Sequence, residues 1–254
     1  MATKNKPLSR IAMIALLCSV QAEAERLLSS ISISRTATIG SKSIIEGTFA
    51  GKEVLFCVGG MGKVNAAHAA TLLSGYGPGA IIVFGVGGAY PSSGAKVGEV
   101  AVAKEEIAGD EGVLTRDGFK DAEYIGIPLL NTATSVIYST FPAPERLVKR
   151  SLQSLISHQE ADHGRVHAGT FVTLSTCTGT SARARELEAR YHGLCENMEG
   201  AAVAHVAELD RIPWLEVRGI SNIVEDRDLK KWDIPRAARA AQLAVQRIVE
   251  DWEG

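Results

Sequence analysis

The order of apolar and polar residues along the chain predicts strands that alternate with helices. Apolar runs at residues 10–17, 80–84, 97–102, 167–174 and 212–220 are typical of buried strands. Residues 44–50 and 53–58 predict a hairpin around Gly51 and Lys52. Helices are predicted at 20–30, 66–73, 144–157, 181–191 and 235–252, with Ser19 as a possible N-cap of the first.

Residues 105–135 show neither the apolar spacing of a helix nor that of a strand, and they are expected to form an extended loop region or short strands. No linker rich in Pro, Gly and Ser interrupts the alternation, and no internal repeat is present. The pattern therefore predicts one α/β domain over residues 9–254, after a flexible tail over residues 1–8.

Composition narrows the class of protein. The chain has 254 residues, 46% hydrophobic and 22% charged, with a formal net charge of −2, which argues against nucleic acid as its main partner. No apolar run approaches the roughly 20 residues that span a membrane. Four cysteines form no C-x-x-C pair and six histidines show no ligand spacing, so we expect no metal, no disulfide framework and a reduced, cytoplasmic compartment.

The N-terminal segment permits two interpretations. Basic residues precede the apolar run, and Ala22-Glu-Ala24 follows it, which resembles a secretory signal with its cleavage site. The same run is also suited to a buried parallel strand, which we favour.

Two glycine-rich stretches follow predicted strands, at Gly60-Met-Gly62 and Gly85-Val-Gly87. Both lack the third glycine of the dinucleotide-binding pattern, since Asn65 and Tyr90 stand in its place, and neither forms a phosphate-binding P-loop. The glycines indicate either tight turns or close approach of the backbone to a ligand.

The stretch from Glu196 to His205 places a polar tetrad before a run of small residues. A glutamate in the first turn of that helix, Glu199, would be stabilised as an anion by the helix dipole and free N–H groups. The alternative is an acid on a solvated helix face.

Taken in order, three stretches resemble the nucleoside phosphorylase and nucleosidase superfamily from about residue 10 to 252. They are Gly60-Met-Gly-Lys-Val-Asn-Ala-Ala67, Phe84-Gly-Val-Gly-Gly88 with Lys96-Val-Gly-Glu99, and Glu196-Asn-Met-Glu-Gly-Ala-Ala202 with Val217-Arg-Gly-Ile-Ser-Asn222. Ser175-Thr-Cys-Thr-Gly-Thr180 and the segment 226–234 make the chain most similar to the futalosine hydrolase family. The resemblance implies a three-layer αβα sandwich around a mixed central sheet, assembled as a homodimer or higher homo-oligomer.

Roles follow from that resemblance. It implies that Glu199 holds the ribose hydroxyls, that Met198 packs on the sugar, and that Glu23 activates water, with Glu25 as the other candidate. Asn222 stands where adenine-specific nucleosidases carry an aspartic acid, or it is simply a capping residue. An asparagine cannot supply a proton but can both donate and accept a hydrogen bond, which suits a 6-oxopurine leaving group. Cleavage after Ala24 would remove the first strand and Glu23 together, which argues against a signal peptide.

The remaining predicted substrate-binding residues are Val86, Gly87, Ser175, Gly179, Thr180, Asn197 and Arg218. Arg227, Lys231 and Trp232 are candidates for the carboxylated aromatic group on the 5′ side of futalosine, or they form a charged surface. No cofactor is implied, and the expected partner is a small purine nucleoside. Hydrolysis of futalosine is the expected reaction. A methylthioadenosine or inosine-type nucleosidase, a phosphate-dependent phosphorylase, and a non-catalytic nucleoside-binding module are the alternatives.

Overall fold

A computed structural model describes residues 13–157 and 164–253. Its strands are β1 (Ile14–Cys18), β2 (Ser32–Ile39), β3 (Lys42–Phe49), β4 (Lys52–Val58), β5 (Ala80–Ala89), β6 (Val100–Ala108), β7 (Gly112–Thr115), β8 (Gly118–Asp121), β9 (Leu130–Asn131), β10 (Val136–Ile137), β11 (Thr140–Pro142), β12 (Val166–Thr173), β13 (Cys195–Asn197) and β14 (Trp214–Ile223). Its α-helices are α1 (Glu25–Ser30), α2 (Lys63–Ser74), α3 (Ala122–Ile125), α4 (Glu145–Ser157), α5 (Ser181–Tyr191), α6 (Gly200–Asp210) and α7 (Ile234–Glu250).

Ten of these strands form one mixed sheet in the order β11-β6-β12-β13-β5-β1-β4-β3-β2, with β14 bonded to both β5 and β6. The pairings therefore close β5, β14, β6, β12 and β13 into a ring. Strand β1 runs parallel to β4 and β5, and β14 runs parallel to β5. In contrast, β13 is antiparallel to β5, β14 to β6 and β4 to β3. The sheet draws strands from both described ranges, and the bounds of the single domain stay a prediction.

Helices cover both sides of the sheet: α7 packs on β5 and β14, and α2 packs against α6. The predicted αβα arrangement around a mixed sheet is confirmed. The central strands are fully apolar where they are covered on both faces, as at Ile81, Ile82 and Leu215, which are all 0% exposed. Over the residues described, no helix is long and apolar enough to cross a membrane.

Several predicted elements differ from the structure. The helix predicted over 20–30 is split into a 3₁₀ turn, Gln21–Glu23, and α1, and the Ser19 side chain does not cap either piece. Helix α2 begins three residues before the predicted start, and β2 was not predicted. The predicted tail, the start of the first strand, His158 and His163 lie outside the described residues.

The stretch Gly85-Val-Gly-Gly88 was expected to be a loop, but it lies within β5. The glycines are needed there because neighbouring side chains occupy the space beside them. A Cβ atom on Gly85 would collide with the carboxylate of Glu23, and one on Gly87 would press on the Cys195 sulfur. The absent side chains of β5 therefore make room for the polar groups of its neighbours.

Candidate active site

A cavity of about 210 Å³ lies where β1, β5 and β14 end, the edge at which ligands bind in open α/β sheets. Most of the predicted site residues line it: Glu23, Val86, Gly87, Asn197, Met198, Glu199, Arg218 and Asn222. A larger cavity of about 530 Å³ lies between α4 and the end of α7, and no predicted site residue lines it. The smaller cavity is therefore the candidate site.

The carboxylate of Glu23 is fixed by three backbone N–H groups. Its Oε2 accepts from Ser19 at 3.0 Å and from Val20 at 3.1 Å, and its Oε1 accepts from Val86 at 2.8 Å. The tight 3₁₀ turn after β1 lets the side chain reach back to these donors. Glu23 is 4% exposed and lines the cavity, whereas Glu25, the other candidate base, is exposed on α1.

Glu199 occupies the N-cap position of α6, one residue before the predicted first turn. Its Oε1 accepts from the backbone of Gly62 at 2.9 Å, and its Oε2 accepts from Arg218 Nη2 at 3.2 Å. Gly62 has φ +90°, a conformation that favours glycine, and it turns its N–H toward the carboxylate. The first glycine motif thus supplies a backbone donor to the predicted ribose-binding acid.

Arg218 is a buried counter-ion with 1% of its surface exposed. Its Nε donates to Glu216 at 2.7 Å and its Nη1 donates to the carbonyl of Val86 at 3.1 Å. Burial alone would lower the pKa of Arg218, but the surrounding carboxylates of Glu216, Glu199 and Glu23 raise it. The guanidinium is therefore a fixed positive charge that orients Glu199.

Glu216 also contacts a further acid, Glu106, in the fully buried layer beneath the cavity. Both residues are 0% exposed, and a Cβ atom on Gly200 would collide with both carboxyl groups. Burial and the neighbouring Glu216 carboxylate raise the pKa of Glu106 well above its usual range. Glu216 Oε2 is buried without a hydrogen-bond donor. A proton on the Glu106 carboxyl group would supply the missing hydrogen bond.

Asn197 holds the start of α6. Its Oδ1 accepts from the backbone N–H groups of Glu199 at 2.9 Å and Gly200 at 2.7 Å, and its Nδ2 donates to Glu106 at 2.6 Å. Both polar atoms of this amide are thus engaged with the protein, so we interpret Asn197 as a residue that positions Glu199. Met198 lies between them in the cavity wall.

Asn222 lines the same cavity from β14. Its Nδ2 donates to the carbonyl of Ile223 at 3.1 Å, and its Oδ1 accepts from the hydroxyl of Ser221 at 2.8 Å. Asn222 is 6% exposed and lies inside β14, so it does not cap a helix.

The polar loop after β12 contributes differently from the prediction. Ser175 donates its backbone N–H to Asp110 at 2.6 Å, Thr180 caps α5, and the carbonyl of Gly179 accepts from Arg227. None of these three residues lines the cavity. Their contact with substrate stays a prediction. Cys177, between them, lines the cavity instead.

The sequence matches the phosphorylase superfamily over residues 13–250. The chain belongs to this superfamily. A futalosine hydrolase of Streptomyces coelicolor is 34% identical over 177 residues, covering 68% of this chain and 67% of the relative. A 5′-methylthioadenosine/S-adenosylhomocysteine nucleosidase of Bacillus subtilis is 29% identical, covering 83% of this chain and 85% of the relative.

Solved structures of the superfamily share the fold. The methylthioadenosine/S-adenosylhomocysteine nucleosidase of Neisseria meningitidis, in complex with methylthio-immucillin-A, matches with a TM-score of 0.82 and 21% identity, over 95% of this chain and 100% of that one. The enzyme class predicted from the sequence, a nucleosidase that hydrolyses an N-glycosidic bond, is confirmed by the relatives.

The superfamily motifs contain cavity residues that the sequence prediction missed. Met61, Cys177, Glu196 and Ser221 line the cavity, and each lies inside a stretch that carried the resemblance. Their membership of those motifs is the signal that could have identified them. Which member of each motif points into the cavity depends on how the strands are paired.

The three candidates for the 5′ side differ in their position relative to the cavity. Trp232 lines the cavity, and the guanidinium of Arg227 lies 4.7 Å from the centre of its ring. Lys231 pairs at 2.6 Å with Glu225 on the surface and does not line the cavity.

Proposed function

We propose that this nucleosidase hydrolyses futalosine with water, releasing hypoxanthine and dehypoxanthinyl futalosine, a reaction of menaquinone biosynthesis. The observation that carries the proposal is the amide of Asn222 in the cavity wall, where adenine-specific nucleosidases have an aspartic acid. The 34% identity to a futalosine hydrolase supports the same substrate.

Water is favoured over phosphate by the charges in the cavity. Its lining includes the carboxyl groups of Glu23, Glu196 and Glu199, and Arg218 is the one cation among the lining residues described. The guanidinium of Arg218 is already engaged with Glu216 and Glu199. A phosphate dianion would therefore meet carboxylates without a free cation to offset them.

The proposed chemistry has one part at the sugar and one at the purine. Glu199 holds the 2′- and 3′-hydroxyl groups and stabilises the positive charge that develops on the sugar. Glu23, aligned by its three backbone donors, takes a proton from the attacking water. The purine lies against Asn222, and the aromatic ring of Trp232 provides a wall for an apolar part of the substrate.

The cavity mouth also bears on assembly. Val20 and Met61, which line it, are 45% and 62% exposed. We propose that a second copy of the chain covers these side chains in a homodimer or higher oligomer, and that the covered space receives the 5′ group. Gel filtration with light scattering measures the mass directly.

The substrate test compares futalosine, aminodeoxyfutalosine, methylthioadenosine and inosine, with and without phosphate, by chromatography of the free base. Hypoxanthine release from futalosine alone, independent of phosphate, is expected. Preference for methylthioadenosine would overturn the futalosine assignment in favour of the alternative nucleosidase, which the Bacillus subtilis relative supports. Release of no base would favour a binding module.

The second test exchanges the amide for an acid. Asn222→Asp is expected to move the preference toward adenine nucleosides, because an aspartic acid can protonate N7 of adenine. The ratio of kcat/KM for futalosine and aminodeoxyfutalosine measures the change. An unchanged ratio would contradict the role given to Asn222.

A further inference from the structure

The carboxyl group of Glu196 lies beside Asn222 at the purine end of the cavity. Glu196 on β13 and Asn222 on β14 are both paired with Gly88 of β5. Side chains of paired residues point to the same face of a sheet. A Cβ atom on Gly88 would lie 3.2 Å from Asn222 Nδ2 and 3.5 Å from Glu196 Cγ, so the amide and the carboxyl side chain meet over this glycine.

Glu196 has different partners from Glu199. Its Oε1 accepts from the backbone N–H of Thr178 at 2.9 Å, and its Oε2 accepts from the hydroxyl of Tyr90 at 3.3 Å. Among the ion pairs of the described residues, none involves Glu196, whereas Glu199 pairs with Arg218. Burial raises the pKa of Glu196, while the bonds from Thr178 and Tyr90 and the charge of Arg183 lower it in part.

We infer that Glu196, in its neutral form, is the general acid that protonates the departing purine, which the amide of Asn222 cannot do. The inference rests on the proposed hydrolysis and names the group that completes it. As the bond from C1′ to N9 breaks, its electron pair passes to the purine, and the proton of Glu196 passes to the edge that carries N7 and O6. The water oxygen bonds to C1′ while Glu23 takes one water proton.

The protons balance over one turnover. Glu196 is left as a carboxylate, which the N–H of Thr178 and the hydroxyl of Tyr90 stabilise by hydrogen bonds. Glu196 then regains a proton from solvent, and Glu23 releases one. Hypoxanthine leaves as the neutral base.

The same pair of side chains discriminates between purines. In a 6-oxopurine N7 and O6 are adjacent acceptors, whereas a 6-aminopurine presents an acceptor and a donor there. A neutral Glu196 and the amide of Asn222 supply two donors. The geometry thus favours hypoxanthine over adenine through both residues.

The test is the pH dependence of futalosine hydrolysis by the wild type, Glu196→Gln and, as a control, the exposed Glu53→Gln. Wild-type kcat should fall as pH rises through the pKa of Glu196, because the acid must be protonated. Glu196→Gln should lower kcat by about 10²–10⁴-fold, the usual contribution of a general acid, and should lose that alkaline limb. Glu53→Gln should match the wild type.

A second variant should shift the alkaline limb of the pH–rate profile while Glu196 itself is kept. Tyr90→Phe deletes a hydrogen bond that lowers the pKa of Glu196, so the alkaline limb should shift to higher pH. The other groups facing Glu196 are Arg183, Cys195 and Asn222, and they stay unchanged. A purely structural role for Glu196 would change the rate but leave the limb in place.

The outcomes separate this inference from the proposed function. Near-normal kcat in Glu196→Gln, or an alkaline limb that survives in it, would overturn the general acid while hydrolysis of futalosine stands. A wild-type enzyme that does not hydrolyse futalosine would overturn the proposed substrate. The wild type and Glu196→Gln are then compared with the nucleoside that the enzyme does cleave. A rate that rises with pH through the pKa of Glu196 would show an ionised acceptor and would also refute the inference.

Discussion

Arg218→Met tests the electrostatic structure of the site. Arg218 is 1% exposed and lies 2.7 Å from Glu216 and 3.2 Å from Glu199. Methionine is of similar length and apolar, so the substitution removes the charge and leaves most of the volume filled. The two carboxylates would remain buried without a cation.

Removing one partner of a buried ion pair costs about 3–5 kcal/mol, since the remaining charge stays desolvated. In a domain of this size each kcal/mol lowers the melting temperature by about 2 °C, so we expect a loss of roughly 6–10 °C at pH 7.5. Turnover should also fall, since Glu199 loses the guanidinium that orients it.

Thermal melts followed by circular dichroism at pH 7.5 measure the effect. Arg35→Met is the matched control, because Arg35 pairs with Glu46 at 3.3 Å with 67% of its side chain exposed. Surface pairs contribute little, so this control should melt within about 2 °C of the wild type. A melting temperature of Arg218→Met equal to that of the control at pH 7.5 would refute the reasoning.

Three further predictions concern the other acids of the site. Glu23→Gln should reduce kcat by at least about 10²-fold because a general base is lost, while Glu25→Gln should not change it; steady-state rates that rank the two the other way would reassign the base. Glu199→Gln should lower turnover by about 10²-fold or more while circular dichroism shows that the protein stays folded, and a near-normal rate would contradict its role at the ribose. Because the pKa of Glu106 is raised, the folded state binds its proton more tightly than the unfolded state, and wild-type stability should fall as pH rises above the usual range of a glutamate. In Glu106→Gln that slope, at most about 1.4 kcal/mol per pH unit, should disappear in urea unfolding between pH 5 and 8, and an unchanged slope would place the proton elsewhere.

Local pattern was sufficient for the elements whose signals are local. Helix α5 has the predicted bounds, because Thr180 caps it and Arg and Glu residues alternate along its exposed face. The hairpin of β3 and β4 also follows from its turn residues. The pattern failed at Gly85–Gly88, where the backbone continues as a strand because it pairs with β14 and β13. Glycines are required there because Glu23, Cys195 and Asn222 fill the space beside them.

The same division holds for the site. The sequence alone predicted Glu23, Glu199 and Asn222 for the site, since each occupies a recognisable motif at the end of a strand or the start of a helix, and all three line the cavity. Only the tertiary structure decided their partners. Glu199 occupies the N-cap position of α6, whereas its buried neighbours come from two strands, with Glu106 on β6 and Glu216 and Arg218 on β14. These residues meet because β6, β14 and α6 pack together. Glu196 came next to Asn222 through the pairing of β13 and β14 with opposite sides of β5, and strand order is a long-range property that no local pattern of residues encodes.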